Sequence, residues 1–338
     1  MSRVTRREFL GQAVAASGSM AMAQQNGQQN NSAGIPRRPL GKTGLQASII
    51  GMGGYHLGSA DDLQTAKRMV DEAIDAGINF FDNAWDYHQG RSEEWLGAAL
   101  KGKRDKVILM TKVCTHGRTK DVGMKMLEES LRRLQTDHLD VWQIHEVIYP
   151  NDPELIFRPN GAAEALVQAK KDGKVRFIGF TGHKDPAIHL KMLSYDFPFD
   201  TVQLPLNCLD ATFRSFEQQV LPELNRRGIA PLGMKSLGGS GEMVAHGAVR
   251  AADALRYAMS LPVAVTISGI ESLPVLRQNL AVAQGFQPMT PETMQRLRDQ
   301  VREDAADGRY ELFKTGMKYD GEVGRGQHGF PTPAELPL

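Results

Sequence analysis

Short apolar runs alternate with amphipathic segments along most of the chain. Eight runs rich in Val, Ile and Phe have the length of buried strands, and they lie at 47–51, 78–82, 107–112, 139–145, 175–180, 201–204, 229–234 and 263–267. Between them, apolar residues recur at the spacing of one helix face, as in Met124, Leu127, Leu131 and Leu134. Further helices are predicted near 66–74, 92–100, 161–171, 186–193, 213–226 and 247–260. The pattern therefore predicts a repeated strand–helix unit.

Eight such units with almost continuously apolar strands are typical of a parallel sheet covered by helices. In a stretch of about 290 residues they predict an α/β fold, a single (β/α)8 TIM barrel. A doubly wound open sheet is the alternative, but it usually carries a GxGxxG turn after its first strand. The residues at 51–54 read GMGG and lack that spacing. We expect a barrel over 36–300 and a C-terminal tail over 301–338 that folds across the barrel mouth.

The N-terminus resembles a twin-arginine export signal. Arg6 and Arg7 precede an apolar stretch rich in Ala, Gly and Ser, which ends in the small-residue site 21–23. We therefore expect 1–23 to be a signal peptide, 24–35 a flexible linker, and the mature protein to be periplasmic or otherwise exported. The export machinery would then be a partner. The alternative is a frayed amphipathic helix.

Composition excludes several classes of function. The 40 basic and 39 acidic residues nearly cancel, which argues against a nucleic-acid binder that relies on bulk charge. No apolar run has the length of a membrane span. The two cysteines, Cys114 and Cys208, form no CxxC pair, so we expect no metal site.

Polar residues close three successive predicted strands. Asp82 ends the run 78–82, Lys112 ends 107–112, and His145 ends 139–145. Active sites of such barrels lie at the C-terminal ends of the strands, so these side chains should meet at one rim. Tyr87 follows Asp82 on the same loop. The four residues are the candidate catalytic set, and a solvated network at the rim is the alternative.

This combination suits proton transfer to a carbonyl oxygen. A phenol titrates near about pH 10, and an adjacent ammonium should lower that pKa. Tyr87 would then be the general acid, Lys112 would lower its pKa, and Asp82 would pair with the lysine. A donor from His145 would orient the substrate oxygen. None of the four is a hydride source, so a reduction needs a cofactor.

Four motifs in order resemble those of the aldo-keto reductases. They are GINFFDNAWDY at 77–87, GRSEEWLG at 90–97, TK at 111–112 and QIH at 143–145, and the resemblance extends over about 36–285. It implies a (β/α)8 barrel, a catalytic Asp, Tyr, Lys and His, and a nicotinamide cofactor bound without a Rossmann domain. The implied reaction interconverts a carbonyl and an alcohol by hydride transfer.

The resemblance also implies cofactor contacts, with departures from the family pattern. Thr181 and Gly182 stand where the family has Ser-Asn, His183 offers a substitute for the missing amide, and Met234 replaces a stacking tyrosine. Arg277 is the base nearest to the 2′-phosphate segment, so the cofactor is expected to be NADP(H) or NAD(H). The full set of implied contacts is Thr181, Gly182, His183, Gln203, Met234, Lys235, Leu237, Gly238, Gly239, Ser268, Gly269, Ser272, Arg277 and Asn279.

Substrate contacts are expected from Tyr55, Trp85, Asp86, Cys114 and Glu146. Acidic groups beside an aromatic surface suit a hydroxyl-rich ligand, so we expect a small-molecule polyol or keto-sugar. The alternative is that both acids face solvent. Other functions compatible with the sequence are an exported sugar oxidoreductase that retains its cofactor, a non-catalytic nicotinamide-binding regulatory module, and a barrel isomerase or epimerase.

Overall fold

The computed structural model describes residues 34–114 and 119–336. The predicted signal peptide 1–23 and most of the predicted linker 24–35 lie outside these residues. The first two strands, β1 (Arg37–Pro39) and β2 (Gln46–Ser48), form an antiparallel hairpin in which Arg37 pairs with Ser48. The sequence pattern did not predict this hairpin. Its second strand and the first barrel strand were merged into one expected strand at 47–51.

A closed barrel of eight parallel strands follows the hairpin. In chain order the strands are β3 (Ile50–Gly53), β4 (Phe80–Asp82), β5 (Ile108–Cys114), β6 (Leu139–His145), β7 (Val175–Thr181), β8 (Thr201–Pro205), β9 (Ala230–Met234) and β10 (Val265–Gly269). Each strand pairs with the next, and β10 pairs with β3 to close the ring. The predicted (β/α)8 fold is confirmed, and the carboxyl ends of all eight strands meet at one rim.

Helices alternate with the barrel strands and bury their apolar faces. The helix Leu63–Asp75 buries Ala66, Met69, Val70 and Ala73, which recur at helical spacing. The described helices are Gly54–Leu57, Leu63–Asp75, Arg91–Leu100, Lys120–Leu134, Asp152–Phe157, Ala162–Lys171, Pro186–Leu193, Phe216–Gln219, Leu221–Arg227, Glu242–Ala245, Ala251–Ser260, Leu273–Gln284, Pro291–Gln300, Leu312–Thr315 and Glu322–Gln327.

The single helix expected at 213–226 is in fact two helices. Phe216–Gln219 ends at Val220, and Leu221–Arg227 begins with Pro222 in its first turn. Proline has no N–H to donate to a preceding turn, so it starts a helix more readily than it continues one. Gly228 then ends the second helix with a φ of 70°, as expected for a left-handed terminator.

Two apolar clusters form the core. The larger one fills the space between the barrel strands and the surrounding helices. The smaller one includes strand residues such as Phe80, Met110 and Val141, together with Leu40 and Ala47 from the N-terminal hairpin segment. The hairpin segment therefore packs against residues of the barrel strands. No helix among residues 34–114 and 119–336 has both the length and the apolar character that a membrane crossing needs.

Candidate active site

The four candidate catalytic residues converge at the carboxyl rim of three neighbouring strands. Asp82 is the last residue of β4, Lys112 lies near the end of β5, and His145 ends β6. Tyr87 begins a short 3-10 turn, Tyr87–Gly90, in the loop after β4. Because β4, β5 and β6 are adjacent in the barrel, the side chains reach the same cavity.

A buried ion pair organises the centre of this group. The Lys112 Nζ lies 2.5 Å from Asp82 Oδ1, and the two side chains are 1% and 5% exposed. The same ammonium donates to the Asn83 carbonyl at 2.7 Å and lies 3.3 Å from the Tyr87 hydroxyl. Three oxygen atoms therefore surround the ammonium, which satisfies a buried charge and directs it at the phenol.

The pKa of Tyr87 shifts in the opposite direction to the expectation from sequence. Burial of the phenol raises its pKa well above the ordinary value, and the carboxylates of Asp82, Asp86 and Glu146 raise it further. The ammonium of Lys112 is already paired with Asp82, so its effect on the phenol is largely cancelled. The Tyr87 side chain is consequently a neutral phenol at ordinary pH.

His145 is oriented by a carboxylate on the loop that carries Tyr87. Its Nδ1 lies 3.2 Å from Asp86 Oδ1, and its ring meets the Tyr87 ring edge to face, with centroids 5.5 Å apart. Burial pushes the pKa of Asp86 upward, but the neighbouring His145 outweighs it and leaves that pKa below the ordinary value. The Nε2 edge of the imidazole is thus left for other partners.

Glu146 follows His145 with a left-handed backbone, at a φ of 55°. Its carboxylate is buried and accepts the Gly321 N–H, at 3.1 Å and 3.0 Å for the two oxygens. Burial raises the pKa of Glu146 to about 7. Asp86, His145 and Glu146 also bring one donor atom each within 4.8 Å of one another, a set of ligand types that a divalent cation can use. Asp86 pairs with His145, and Glu146 accepts from Gly321. These hydrogen bonds explain why the three side chains lie together.

A cavity of about 750 Å³ lies over the four residues. Volumes of about 300–1,000 Å³ are typical of sites for small molecules and cofactors. Beyond the catalytic four, the residues expected from sequence that line it are Thr181, His183, Gln203, Met234, Lys235, Leu237, Gly239, Ser268, Gly269, Tyr55, Asp86 and Glu146. Both acids thus face the cavity, and the alternative that they simply face bulk solvent is not what the structure shows.

Two residues expected to contact substrate are not brought to the cavity. The Trp85 indole N–H donates to Glu129 at 2.8 Å, and the Arg133 guanidinium lies over the Trp85 ring at 5.3 Å. These contacts hold the ring against the helix Lys120–Leu134. Cys114 is buried at the end of β5 and is not among the residues that line the cavity.

Three residues expected to bind the adenosine end of a cofactor have other roles. Arg277 forms a two-point pair with Glu72, at 2.7 Å and 3.0 Å, on the outer surface. Ser272 caps the helix Leu273–Gln284. Asn279 donates to the Ser268 hydroxyl at 3.1 Å, so it supports a residue that lines the cavity rather than lining it.

Gly182 and Gly238 do not line the cavity, but each allows a backbone geometry that a larger residue would disturb. A Cβ on Gly182 would lie 2.2 Å from the Val147 carbonyl, so only glycine fits between β7 and that loop. Gly238 has a φ of 73° and donates to the Lys235 carbonyl in a turn. Neither glycine is among the residues that line the cavity, but both shape the loops that carry His183 and Gly239.

The C-terminal segment supplies cavity residues that sequence reasoning did not identify individually. Residues 318–322 line the cavity, as do His56, Ser236, Ser240 and Glu271. Asp320 anchors the segment, because its carboxylate accepts from Lys184 at 2.7 Å and from the Tyr149 hydroxyl at 3.2 Å. Such contacts join residues more than a hundred positions apart, and no local motif marks them. The glycine-rich run in the tail was the sequence feature that pointed to this segment as part of the site.

The donors and acceptors near the catalytic group fit a nicotinamide carboxamide. His183 Nε2 and Gln203 Oε1 are buried and have no hydrogen-bond partner in the described part of the chain. The Gln203 amide nitrogen lies 3.5 Å from Asp82 Oδ2, which directs its oxygen away from that carboxylate. A primary carboxamide carries two N–H donors and one acceptor. The two bare acceptors and the hydroxyl of Thr181 match that set.

Comparison with known proteins gives one family. The model of the aldo/keto reductase family matches residues 49–243. L-galactose dehydrogenase of Arabidopsis thaliana is 36% identical over 160 residues, which are 44% of this chain and 49% of that protein. The 6-dehydroglucose reductase of Novosphingobium aromaticivorans is 30% identical over 219 residues, which are 60% of this chain and 69% of that protein. The chain spans about half the length of several curated relatives that it matches.

A solved structure has the same fold over most of the chain. The holo form of aldo-keto reductase AKR11C1 from Bacillus halodurans superposes with a TM-score of 0.66 and 25% identity. The match covers 79% of this chain and 96% of that protein. The closed barrel and the family match therefore agree.

Proposed function

The chain belongs to the aldo/keto reductase family, and from that premise we propose that it interconverts a carbonyl and an alcohol by hydride transfer with NADP(H) or NAD(H). The observation that carries the proposal is the placement of the Tyr87 hydroxyl, 3.3 Å from the Lys112 ammonium, inside a cavity large enough for a dinucleotide end and a small substrate. The presence of all four candidate catalytic residues also favours an enzyme over a regulatory module that only binds nicotinamide.

Tyr87 acts as the general acid. Addition of hydride to a carbonyl carbon leaves a negative charge on the oxygen, and that alkoxide is far more basic than a phenol. Because burial and the nearby carboxylates keep Tyr87 protonated, the phenol always has a proton to donate. In the oxidation direction the phenolate must instead accept a proton, and the Lys112 ammonium 3.3 Å away stabilises its charge.

His145 orients the reacting oxygen. The Asp86 carboxylate lies at Nδ1 and fixes the orientation of the ring. The Nε2 edge of the ring then faces the substrate oxygen, so Tyr87 and His145 hold the oxygen from two sides. Asp82 keeps the Lys112 ammonium in place through the 2.5 Å contact, and it acts as a positioning residue.

The cofactor supplies the hydride when it is bound. Thr181, His183 and Gln203 hold its carboxamide, because they provide the matching donors and acceptors near Asp82. The remaining cavity residues expected from sequence, from the β9 loop and the end of β10, hold the rest of the dinucleotide. They are Met234, Lys235, Leu237, Gly239, Ser268 and Gly269.

For the substrate, we favour a polyol or keto-sugar. The cavity presents the carboxylates of Asp86 and Glu146 beside the catalytic residues, and carboxylates accept hydrogen bonds from hydroxyl groups. Two similar proteins have names that refer to sugars, L-galactose dehydrogenase and 6-dehydroglucose reductase. An apolar carbonyl substrate would exclude water from these carboxylates without adding a hydrogen bond to them, at a cost in binding free energy.

A second candidate is an exported sugar oxidoreductase that keeps its cofactor through successive turnovers. Residues 318–322 of the C-terminal segment form part of the cavity wall, so a bound dinucleotide would be partly covered. The export signal expected in 1–23 supports the same idea, because free nicotinamide cofactors are scarce outside the cytoplasm. Mass spectrometry of the purified protein after mild denaturation tests it. A stoichiometric dinucleotide supports retention, and an empty protein that binds added cofactor reversibly contradicts it.

A panel of carbonyl substrates tests the proposed function and the substrate class together. Consumption of NADPH and NADH is followed with keto-sugars, sugar aldehydes and lipophilic aldehydes of similar size. We expect kcat/KM for the best sugar to exceed that for the best lipophilic aldehyde. Preference for every lipophilic aldehyde would contradict the substrate class alone. No oxidation of either cofactor, with any carbonyl or with polyols in the reverse direction, would contradict the activity.

A further inference from the structure

His183 carries an unused acceptor beside the catalytic residues, and the C-terminal segment sets its chemical state. The residue follows β7, is 4% exposed and lines the cavity. Its Nδ1 lies 3.1 Å from the backbone carbonyl of Phe313. A carbonyl oxygen only accepts hydrogen bonds, so Nδ1 must hold the proton of the neutral ring.

The ring is neutral for a physical reason. Burial lowers the pKa of His183 well below its ordinary value, and the positive charges of Lys235 and Lys184 lower it further. A neutral imidazole with its proton on Nδ1 has a lone pair on Nε2. That atom is buried and has no hydrogen-bond partner within residues 34–114 and 119–336.

We propose that the C-terminal segment Glu311–Glu322 controls the affinity for the nicotinamide ring through His183, because the Phe313 carbonyl holds the ring proton on Nδ1 and so keeps Nε2 an acceptor for the carboxamide N–H. The inference rests on the proposed function. Without the carbonyl the proton is free to move to Nε2, which turns the acceptor into a donor facing another donor. His183 is a binding residue, and the segment acts on the cofactor through it.

Two cationic side chains anchor the segment directly after Phe313. Arg214 donates to the Lys314 carbonyl at 2.9 Å. Lys184 donates to the Gly316 carbonyl and to Asp320. Removal of both cationic side chains therefore loosens the stretch that carries the Phe313 carbonyl, while the buried contacts of the Lys314 ammonium remain.

The first test determines which ring nitrogen of His183 carries the proton. The full-length protein, labelled with ¹⁵N at histidine, is examined by NMR, and the His183 resonances are assigned from their loss in His183→Asn. We expect a protonated Nδ1 and a bare Nε2. A proton on Nε2, or a protonated ring at neutral pH, overturns the proposal.

The second test measures whether the effect of the segment on NADH affinity depends on His183. The variant Arg214→Ala/Lys184→Ala is made in the wild-type and the His183→Asn backgrounds, since asparagine has a fixed acceptor oxygen and no tautomer. NADH affinity is measured by fluorescence titration, and ADP-ribose, which lacks the nicotinamide ring, is the reference ligand. We expect NADH binding to weaken about tenfold more than ADP-ribose binding with His183 present. In the His183→Asn background we expect the two ligands to weaken equally.

The matched control is Arg302→Ala/Arg309→Ala. These exposed arginines pair with Asp299 and Asp307 close by in the chain, so the variant removes the same charge without loosening the anchored stretch. It should leave the ratio of the two affinities unchanged. Equal extra losses of NADH affinity in both backgrounds overturn the role of His183. If the wild-type chain binds ADP-ribose and NADH equally, the nicotinamide ring adds no affinity and the role of His183 is overturned. If it binds neither NADH nor NADPH, the proposed function itself fails, which is a separate outcome.

Discussion

At the scale of single residues, the Tyr87 side chain is a neutral phenol at ordinary pH. An unpaired ammonium beside Tyr87 would lower its pKa, but Lys112 is paired with Asp82 at 2.5 Å and hydrogen-bonded to Asn83. The electrostatic balance at the hydroxyl is then set by burial and by carboxylates. The arrangement suits a group that gives a proton to an alkoxide and must hold that proton until hydride has moved.

Replacement of Tyr87 by phenylalanine should remove the proton donor and little else. We expect kcat/KM for carbonyl reduction to fall by about 10²–10⁴-fold, the usual contribution of a positioned general acid. Cofactor affinity should stay within about threefold, because the hydroxyl is not among the carboxamide partners. Steady-state kinetics and fluorescence titration measure the two quantities.

Tyr55→Phe is the matched control for that substitution. The Tyr55 ring packs edge to face against Tyr87, with centroids 5.4 Å apart, but its own side chain is exposed. We expect its kcat/KM to stay within about tenfold of the wild-type value. An equal loss of activity in the two variants would show that Tyr87 acts through packing rather than proton transfer.

Sequence reasoning proposed Asp82, Lys112 and His145 because each closes a predicted strand, and that position alone implies a common rim. It placed Trp85 at the substrate, whereas Glu129 and Arg133 hold that ring against a helix. It also placed Arg277 at a phosphate, whereas Glu72 on another helix binds the guanidinium. Both partners lie far away in sequence, so no local pattern distinguishes the alternatives.

At the scale of elements, the strand–helix alternation predicted the barrel but not the hairpin before it. The apolar stretch around 47–51 contains the end of β2 and the start of β3, and hydrophobicity alone does not show where the chain leaves the hairpin. The division of the helix at 213–226 could have been predicted, because Pro222 lies inside the expected helix.

The end of β7 offers an element-scale prediction. In Gly182→Ala the new Cβ would meet the Val147 carbonyl at 2.2 Å and the His189 ring at 2.9 Å. The backbone between Thr181 and His183 must therefore shift. We expect the free energy of unfolding to fall by about 1–3 kcal/mol and NADH affinity to weaken. Urea denaturation and ligand titration measure the two effects.

The control for Gly182→Ala is Gly326→Ala. A Cβ at Gly326 meets nothing within 4 Å, and the residue lies in the helix Glu322–Gln327. We expect its free energy of unfolding to change by less than about 0.5 kcal/mol. Wild-type stability and NADH affinity in Gly182→Ala would contradict the assigned packing role.

At the scale of the whole molecule, the C-terminal segment completes a cavity that the barrel alone leaves open. Glu146, directly after His145, accepts the Gly321 N–H. A Cβ at position 321 would lie 2.5 Å from a Glu146 oxygen, so the contact depends on glycine there. The sequence predicted a tail over the mouth, but the pairing of these two positions, 175 residues apart, comes only from the three-dimensional fold.

Glu146 should make stability depend on pH. Burial raises the pKa of Glu146 to about 7. In an unfolded chain the pKa of a glutamate is about 4.3. Its contribution to stability is therefore complete below pH of about 4.3 and is lost as the pH rises through about 7. We expect the stability of the wild type relative to Glu146→Gln to fall by about 1–3 kcal/mol between about pH 5 and pH 8.

Urea denaturation at a series of pH values measures this difference. Glu322→Gln is the matched control, because Glu322 is an exposed carboxylate on the same segment. The difference in the free energy of unfolding between Glu322→Gln and the wild type should stay constant over the same pH range. A flat difference for Glu146→Gln as well would show that the Glu146 carboxyl does not titrate as its burial predicts.

Hydride transfer to a carbonyl carbon is the central claim, and isotope transfer tests it most directly. NADPH and NADH carrying deuterium at C4 on either face are each incubated with the purified chain and its best keto-sugar, and the product is analysed by mass spectrometry and NMR. The account predicts an alcohol with one deuterium on the former carbonyl carbon, from one face of the cofactor only. A product without deuterium from every labelled cofactor would contradict it.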